Sequence, residues 1–102
     1  MRKIRVGVAG YGTIGQRLAD GIALQEDMEL AGIADLAPTL SLQALRENDM
    51  IGANGVEYKL YLVERADPAA FAAMDIPVAG TFGDLCRSVD IMLDSSPAGV
   101  GA

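Results

Sequence analysis

The sequence predicts an α/β unit built around a mainly parallel sheet. Segments with the apolar pattern of strands alternate with segments of helical period along the whole chain, which is typical of βα units. Beyond Arg5, the first strand segment is apolar or small on both of its faces, as expected of a strand buried inside a parallel sheet. Three glycines, at positions 10, 12 and 15, join that strand to the first helix.

The first strand and the first helix have the clearest patterns. Residues 3–9 alternate as a strand does, with small or apolar side chains on both faces beyond Arg5. From residue 13 to residue 25 the period changes, because Ile14, Leu18 and Ile22 recur every four residues. This spacing predicts a helix that buries those three side chains.

The remaining elements are shorter and keep the alternation. They are a strand over 28–35, a helix over 41–49, a turn at 52–55, a strand over 56–63, a helix over 67–74, an extended piece over 76–80, a helix over 81–89 and a strand over 90–96. Pro77 makes the extended piece an edge or a connector, since proline cannot donate to a neighbouring strand. We count about four strands, whereas a complete doubly wound dinucleotide fold has six, so we expect an incomplete unit.

The composition argues against several kinds of partner. The formal net charge is -6, which argues against a nucleic acid, because its phosphates attract clustered lysines and arginines. No segment approaches the roughly 18 apolar residues of a membrane span. There is no recognisable signal peptide, and the single cysteine can form no internal disulfide, so we expect a cytoplasmic protein.

The glycines fit the fingerprint of a Rossmann-type dinucleotide-binding unit. They follow a buried strand, open a helix, and precede a second strand that ends in Asp35, 20 positions after Gly15. Gly10 allows the sharp turn, Gly12 lets a pyrophosphate approach the main chain, and Gly15 lets the helix pack closely on the strand. The alternative is a tight strand-to-helix turn without a ligand. A P-loop is not supported, because no Gly-Lys-Ser/Thr follows.

The residues around the glycines predict how a cofactor is held. The first turn of the helix, near Thr13 and Ile14, offers unpaired N–H groups to a pyrophosphate. Asp35 accepts hydrogen bonds from the adenosine ribose and repels a 2′-phosphate, which predicts NAD in preference to NADP. Tyr11 either shields the pyrophosphate or packs on the surface, and the sequence leaves both open.

Four segments of the chain, taken together, carry a resemblance to a known family. They read "GYGTIGQRLADGI", "DMELAGIAD", "IPVAGTFGDL" and "DIMLDSSPAGVGA". This series resembles the N-terminal NAD(P)-binding region of the archaeal-type (type II) glyceraldehyde-3-phosphate dehydrogenases, most weakly between residues 39 and 66. The resemblance implies a tetrameric enzyme that oxidises and phosphorylates an aldehyde and passes hydride to the nicotinamide. By family position, the residues around the cofactor would be Gly10, Tyr11, Gly12, Thr13, Ile14, Gly15, Ser95, Ser96, Pro97 and Gly99.

Two features depart from the pattern of that family. Lysine or threonine usually follows the second strand there, whereas this chain has "ADLAP", which favours NAD. The resemblance also implies that the nucleophilic cysteine lies beyond residue 102. We therefore expect residues 1–102 to be a partial dinucleotide-binding domain with no catalytic residue, inactive alone. Cys86 falls inside a predicted helix, and the chain has no histidine to activate it, so we expect a buried structural thiol.

Three further expectations concern metals, association and alternative functions. Asp84, Asp90 and Asp94 suggest a metal, but Asp90 and Asp94 would lie about 13 Å apart at opposite ends of one strand, so we expect no metal site. A partial sheet leaves apolar surface uncovered, which predicts a homo-oligomer. The alternative functions are another Rossmann dehydrogenase, of homoserine or semialdehyde type, and a stand-alone nucleotide-sensing or assembly module.

Overall fold

The structure is a computed structural model that describes residues 2–95. Five strands form one sheet in the order β4-β3-β2-β1-β5, and every neighbouring pair is parallel. The strands are β1 (Ile4–Ala9), β2 (Met28–Asp35), β3 (Leu60–Leu62), β4 (Gly80–Thr81) and β5 (Ile91–Asp94). The α-helices are α1 (Thr13–Ala23), α2 (Leu40–Glu47), α3 (Pro68–Ala73) and α4 (Phe82–Ser88), with a short 3₁₀ turn at Ala53–Gly55. The predicted α/β Rossmann-type class is confirmed.

The sheet contains one strand more than the sequence led us to count. The additional strand is β4, which has only two residues and lies at the edge of the sheet, next to the segment that Pro77 marks as an edge or connector. Strand β3 is shorter than the predicted 56–63. Residues 56–58 turn back on the preceding segment, where Ile51 forms an antiparallel bridge with Glu57, and the contact with β2 begins only at Lys59, whose carbonyl accepts the N–H of Ile33.

The two faces of the sheet carry separate clusters of apolar side chains. The larger cluster lies on the face covered by α1 and includes the fully buried side chains Val8, Ile33, Leu42, Tyr58, Leu60 and Phe71. The smaller one centres on Leu85 of α4, which packs with Ala31 and Ala34 of β2. Helices thus cover both faces, as a parallel sheet requires. Among the described residues, no helix has the length and apolar character needed to cross a membrane.

Helix α1 buries most of the face that its four-residue period predicts, since Ile22 is buried and Leu18 packs partly buried against the core, but it leaves Ile14 outside. Its buried residues are Gly15, Ala19, Ile22 and Ala23, whereas Ile14 is 65% exposed. The expectation of a buried Ile14 was therefore wrong. The physical reason lies at Gly15: the first turn of the helix approaches the turn after β1 so closely that no side chain fits at position 15, and Ile14 beside it faces outward.

Cys86 is also placed differently from the expectation. The thiol is exposed on α4, whereas the preceding residue, Leu85, is fully buried. Since successive helical residues point in different directions, a short helix that buries Leu85 against the sheet turns Cys86 to the outside. The expectation of a buried structural thiol was wrong.

Candidate functional site

The candidate site lies where the direction of strand addition reverses. Strand β1 has β2 on one side and β5 on the other, and Ala9 at the end of β1 pairs with Ala34 and with Asp94. In open α/β sheets, ligands bind outside the carboxyl ends of the strands at such a switch point. The loop that leaves β1 here contains residues 10–12, and we call it the glycine loop.

The three glycines differ in what the fold requires of them. Gly10 has φ +88°, a left-handed conformation that favours glycine, and its N–H donates to the carbonyl of Ala34 at 2.7 Å. At Gly15, an added Cβ would fall 1.7 Å from the carbonyl oxygen of Gly10. Gly12 precedes α1 without capping it by a side chain, and a Cβ there would face open space. The loop therefore brings the N-terminus of α1 to an open surface at the end of β1.

This arrangement suits an anionic ligand. The first N–H groups of an α-helix have no partner within the helix and carry a partial positive charge. No side chain among the described residues caps α1, whose N-cap is Gly12, and both Thr13 and Ile14 are exposed in its first turn. The open space at Gly12 fits the close approach of a pyrophosphate to the main chain.

Tyr11 lies at the centre of the glycine loop and is almost completely buried. Its N–H donates to Oδ2 of Asp35 at 2.8 Å, and its carbonyl accepts from the hydroxyl of Thr39 at 2.9 Å. Its ring is edge-on to that of Tyr58, with centroids 6.2 Å apart. Burial, with a smaller contribution from the negative charge of Asp20, raises the pKa of Tyr11 to about 12. The ring is thus in the core, so neither sequence alternative for it, shield or surface residue, describes its position.

Asp35 lies beside the glycine loop, as its position at the end of β2 predicts. One carboxylate oxygen accepts the N–H of Tyr11, and the other accepts the N–H of Leu36 at 2.7 Å. The residue is half-buried, and residues 34–40 include no basic side chain. Each carboxylate oxygen has two lone pairs, so both can accept a further hydrogen bond from a ligand hydroxyl.

Ser95 brings the end of β5 to the same loop. Its N–H donates to the carbonyl of Ala9 at 2.8 Å, and its hydroxyl lies 2.7 Å from the carbonyl oxygen of Gly10 and 3.1 Å from that of Ala9. It thus ties the two strands together at the switch point. Ser96, Pro97 and Gly99, which the family resemblance places near the cofactor, lie outside the described residues.

Two residues of this region had no predicted role at a cofactor site. Thr39 caps α2, accepting the N–H of Leu42 at 3.1 Å, and it also holds the carbonyl of Tyr11. Tyr58 lies beneath the loop, where its hydroxyl donates to Asp20 at 2.7 Å. Nothing in the local pattern around either residue indicates these contacts, which join residues far apart in the chain.

The acidic residues that suggested a metal have structural partners. The main-chain N–H of Thr81 and then its hydroxyl and Arg87 hold the pKa of Asp84 below its usual range. The main-chain N–H of Arg5, followed by the side chain of Arg2, does the same for the pKa of Asp90. Among residues 2–95, no three or more potential metal ligands come together.

Comparison with known proteins adds an independent result. No protein-family model matches the chain. It is 41% identical over its whole length to a glyceraldehyde-3-phosphate dehydrogenase of Sulfolobus acidocaldarius, and 41% identical to one of Sulfurisphaera tokodaii. A dehydrogenase of the same name from Halobacterium salinarum is 40% identical over 97% of the chain. The chain spans only 27% of the length of each of these relatives. The resemblance drawn from the sequence is confirmed: this chain is related, from end to end, to the N-terminal part of the archaeal glyceraldehyde-3-phosphate dehydrogenases.

Proposed function

We propose that the chain binds NAD on the glycine loop, as part of an oxidoreductase that oxidises and phosphorylates glyceraldehyde 3-phosphate. The observation that carries the proposal is the meeting of three features at the switch point: the uncapped N-terminus of α1, the carboxylate of Asp35 and the hydroxyl of Ser95. The names of the relatives support this substrate over those of homoserine or semialdehyde dehydrogenases.

The residues of the glycine loop and the start of α1 have different roles in binding the cofactor. The N–H groups at the start of α1, near Thr13 and Ile14, hold the pyrophosphate, and Gly12 leaves it room. Gly10 and Gly15 give the turn its shape, and Tyr11 anchors the loop from inside. When bound, the nicotinamide supplies the hydride acceptor. By family position, Ser96, Pro97 and Gly99 would complete the cofactor's surroundings beyond Ser95.

Asp35 favours NAD over NADP in this proposal. Its oxygens retain lone pairs for the ribose hydroxyls while they hold the N–H groups of Tyr11 and Leu36. A 2′-phosphate placed there would face this carboxylate, with no basic side chain in residues 34–40 to offset the repulsion.

We propose that the catalytic groups belong to a part of a longer protein that this chain does not include. The chain matches about a quarter of each relative, and residues 1–102 have no histidine. Cys86 lies on α4, which runs from β4 towards the amino end of β5, whereas the glycine loop lies at the carboxyl end of the sheet. Tested alone, the chain should therefore not turn over the aldehyde.

We also propose that the chain associates with itself or with the rest of such a protein along β5. Among the described residues this strand pairs only with β1, and Ile91 at its start is 46% exposed. Unpaired strand edges recruit further strands. Light scattering across a range of concentrations tests this, since a strictly monomeric chain would contradict self-association.

The decisive experiment for cofactor binding is a calorimetric titration with NAD of the parent chain and of Gly12→Val. Gly12 has a negative φ and open space at its Cβ, so valine fits the fold but occupies the space assigned to the pyrophosphate. Gly21→Val is the matched control, because a Cβ at Gly21 also meets open space, on α1 away from the loop. NAD binding lost only in Gly12→Val supports the proposal; equal binding by both variants contradicts it.

A further inference from the structure

We propose that Thr39 is a positioning residue for the glycine loop, and that it sets the affinity for NAD without touching the cofactor. The inference rests on the proposed function, because it concerns the same cofactor site. It starts from the double use of one hydroxyl group, which donates to the carbonyl of Tyr11 and accepts the N–H of Leu42.

The hydroxyl of Thr39 has one proton, and the structure commits it to the glycine loop. The distance from Oγ1 to the carbonyl oxygen of Tyr11 is 2.9 Å, and the distance from the main-chain nitrogen of Leu42 to Oγ1 is 3.1 Å. The second of these contacts is the ordinary N-cap of α2. The hydrogen bond to Tyr11, in contrast, lies outside α2 and joins residues 28 positions apart. One side chain therefore couples the start of α2 to the centre of the glycine loop.

The consequence for a ligand follows from the geometry of the peptide bond. The carbonyl of Tyr11 and the N–H of Gly12 belong to one planar trans peptide, in which C=O and N–H point in opposite directions. Holding the carbonyl towards Thr39 therefore aims the N–H of Gly12 away from Thr39. Asp35 fixes the preceding peptide through the N–H of Tyr11. The two peptide planes that lead into α1 are thus set by one side chain at the end of β2, Asp35, and one just after it, Thr39.

Thr81 serves as the control that distinguishes positioning of the glycine loop from helix capping. It caps α4 in the same way, its hydroxyl accepting the N–H of Asp84 at 3.1 Å inside a capping box, while its main chain pairs in β4. Thr39 and Thr81 are therefore matched in residue type and in cap distance, but only Thr39 holds the glycine loop. Loss of the hydroxyl at each position should cost a similar amount of helix capping.

The test compares NAD affinity and urea midpoints for Thr39→Val, Thr39→Ser and Thr81→Val. Thr39→Val should weaken NAD binding by roughly five- to tenfold, as expected for one lost hydrogen bond. Thr39→Ser, which keeps the hydroxyl, should bind within about twofold of the parent. Thr81→Val should lower the urea midpoint through its lost helix cap but leave NAD affinity unchanged. Equal NAD affinity in Thr39→Val and the parent, or an equal loss in Thr81→Val, would overturn the inference.

A second readout does not depend on NAD. In the ligand-free chain, the ¹⁵N–¹H resonance of Gly12 should shift in Thr39→Val and stay in place in Thr39→Ser and Thr81→Val. Thr39→Asp covers the case in which valine does not fold: aspartate caps helices well but has no proton for the Tyr11 carbonyl, so Gly12 should shift there too. An unmoved Gly12 resonance in these folded variants refutes the positioning role. Failure of the parent to bind NAD refutes the proposed function alone.

Discussion

The carbonyl oxygen of Gly10 occupies almost the position that a Cβ of residue 15 would take, since an ideal Cβ on Gly15 would lie 1.7 Å from it. The backbone of α1 therefore rests directly on the turn that follows β1. This contact fixes the distance between the helix N-terminus and the end of the strand. It also sets the face of α1 that meets the sheet, which carries Gly15, Ala19, Ile22 and Ala23. The site and the packing of the helix thus have the same origin.

Gly15→Ala should destabilise the chain severely. The added methyl group would collide with main-chain atoms that cannot turn aside, so we expect a loss of about 3 kcal/mol or more in the free energy of unfolding, measured with urea. Gly21→Ala is the control on the same helix, where the methyl group meets open space. It should stabilise the chain by up to about 1 kcal/mol. A mild effect at Gly15 would mean that α1 lies further from β1.

How far the sequence predicts this molecule depends on the range of each interaction. The bounds of β2 and the start of α1 follow from local apolar patterns, and the structure confirms both. The glycine spacing predicts the turn between β1 and α1, because the backbone conformation of that turn also depends on residues close together in the chain. The exposure of Ile14 and the burial of Tyr11 are set by packing across the sheet, which a helical period does not encode. The tie between Ser95 and Gly10 joins residues 85 positions apart, and nothing in either neighbourhood signals it.

Tyr58→Phe should lower the free energy of unfolding by about 1 to 3 kcal/mol. The hydroxyl accepts the N–H of Ala53 at 3.0 Å and donates to Asp20, and the residue is fully buried, so its removal leaves both partners without this bond. Asp20→Ala, which removes the acceptor, and the double variant complete a thermodynamic cycle. Strictly additive effects of the two changes would show that the hydroxyl and Asp20 are not coupled.

Alkaline pH should destabilise the chain through Tyr11. Its pKa is raised from 10.0 to about 12 on folding, so the folded state favours the neutral phenol. The stability that this shift contributes is fully present below pH 10 and is lost as the pH rises towards 12. Urea midpoints between these pH values should fall less steeply in Tyr11→Phe than in the parent chain. Parallel pH profiles for the two proteins would contradict the raised pKa.

Cys86 should react readily in the folded chain, since its thiol is exposed on α4. A thiol-specific reagent such as dithionitrobenzoate should titrate one group without urea, at a rate close to that in urea. Modification should leave NAD affinity unchanged, because α4 is not part of the proposed site. Cys86→Ser should change the free energy of unfolding by no more than about 0.5 kcal/mol, as expected at an exposed position. A thiol that reacts only after unfolding would show that Cys86 is buried in the folded chain.

Asp35→Asn should move the cofactor preference from NAD towards NADP. The amide keeps one oxygen to accept the N–H of Tyr11 but removes the negative charge. Two unit charges about 4 Å apart repel by about 1 kcal/mol in water, so relief of repulsion with a 2′-phosphate dianion should raise NADP affinity by about tenfold or more. Because salt screens this repulsion, the gain should shrink as ionic strength rises.

Two further variants separate charge from loop structure in that experiment. Asp27→Asn removes the same charge at an exposed position just before β2, at the opposite end of the strand, and should leave both affinities unchanged. Asp35→Ala removes the charge and also the acceptor that holds Tyr11, so it should gain less NADP affinity than Asp35→Asn and lose more NAD affinity. An unchanged ratio of NAD to NADP affinity in Asp35→Asn would show that the adenosine ribose does not lie beside this carboxylate.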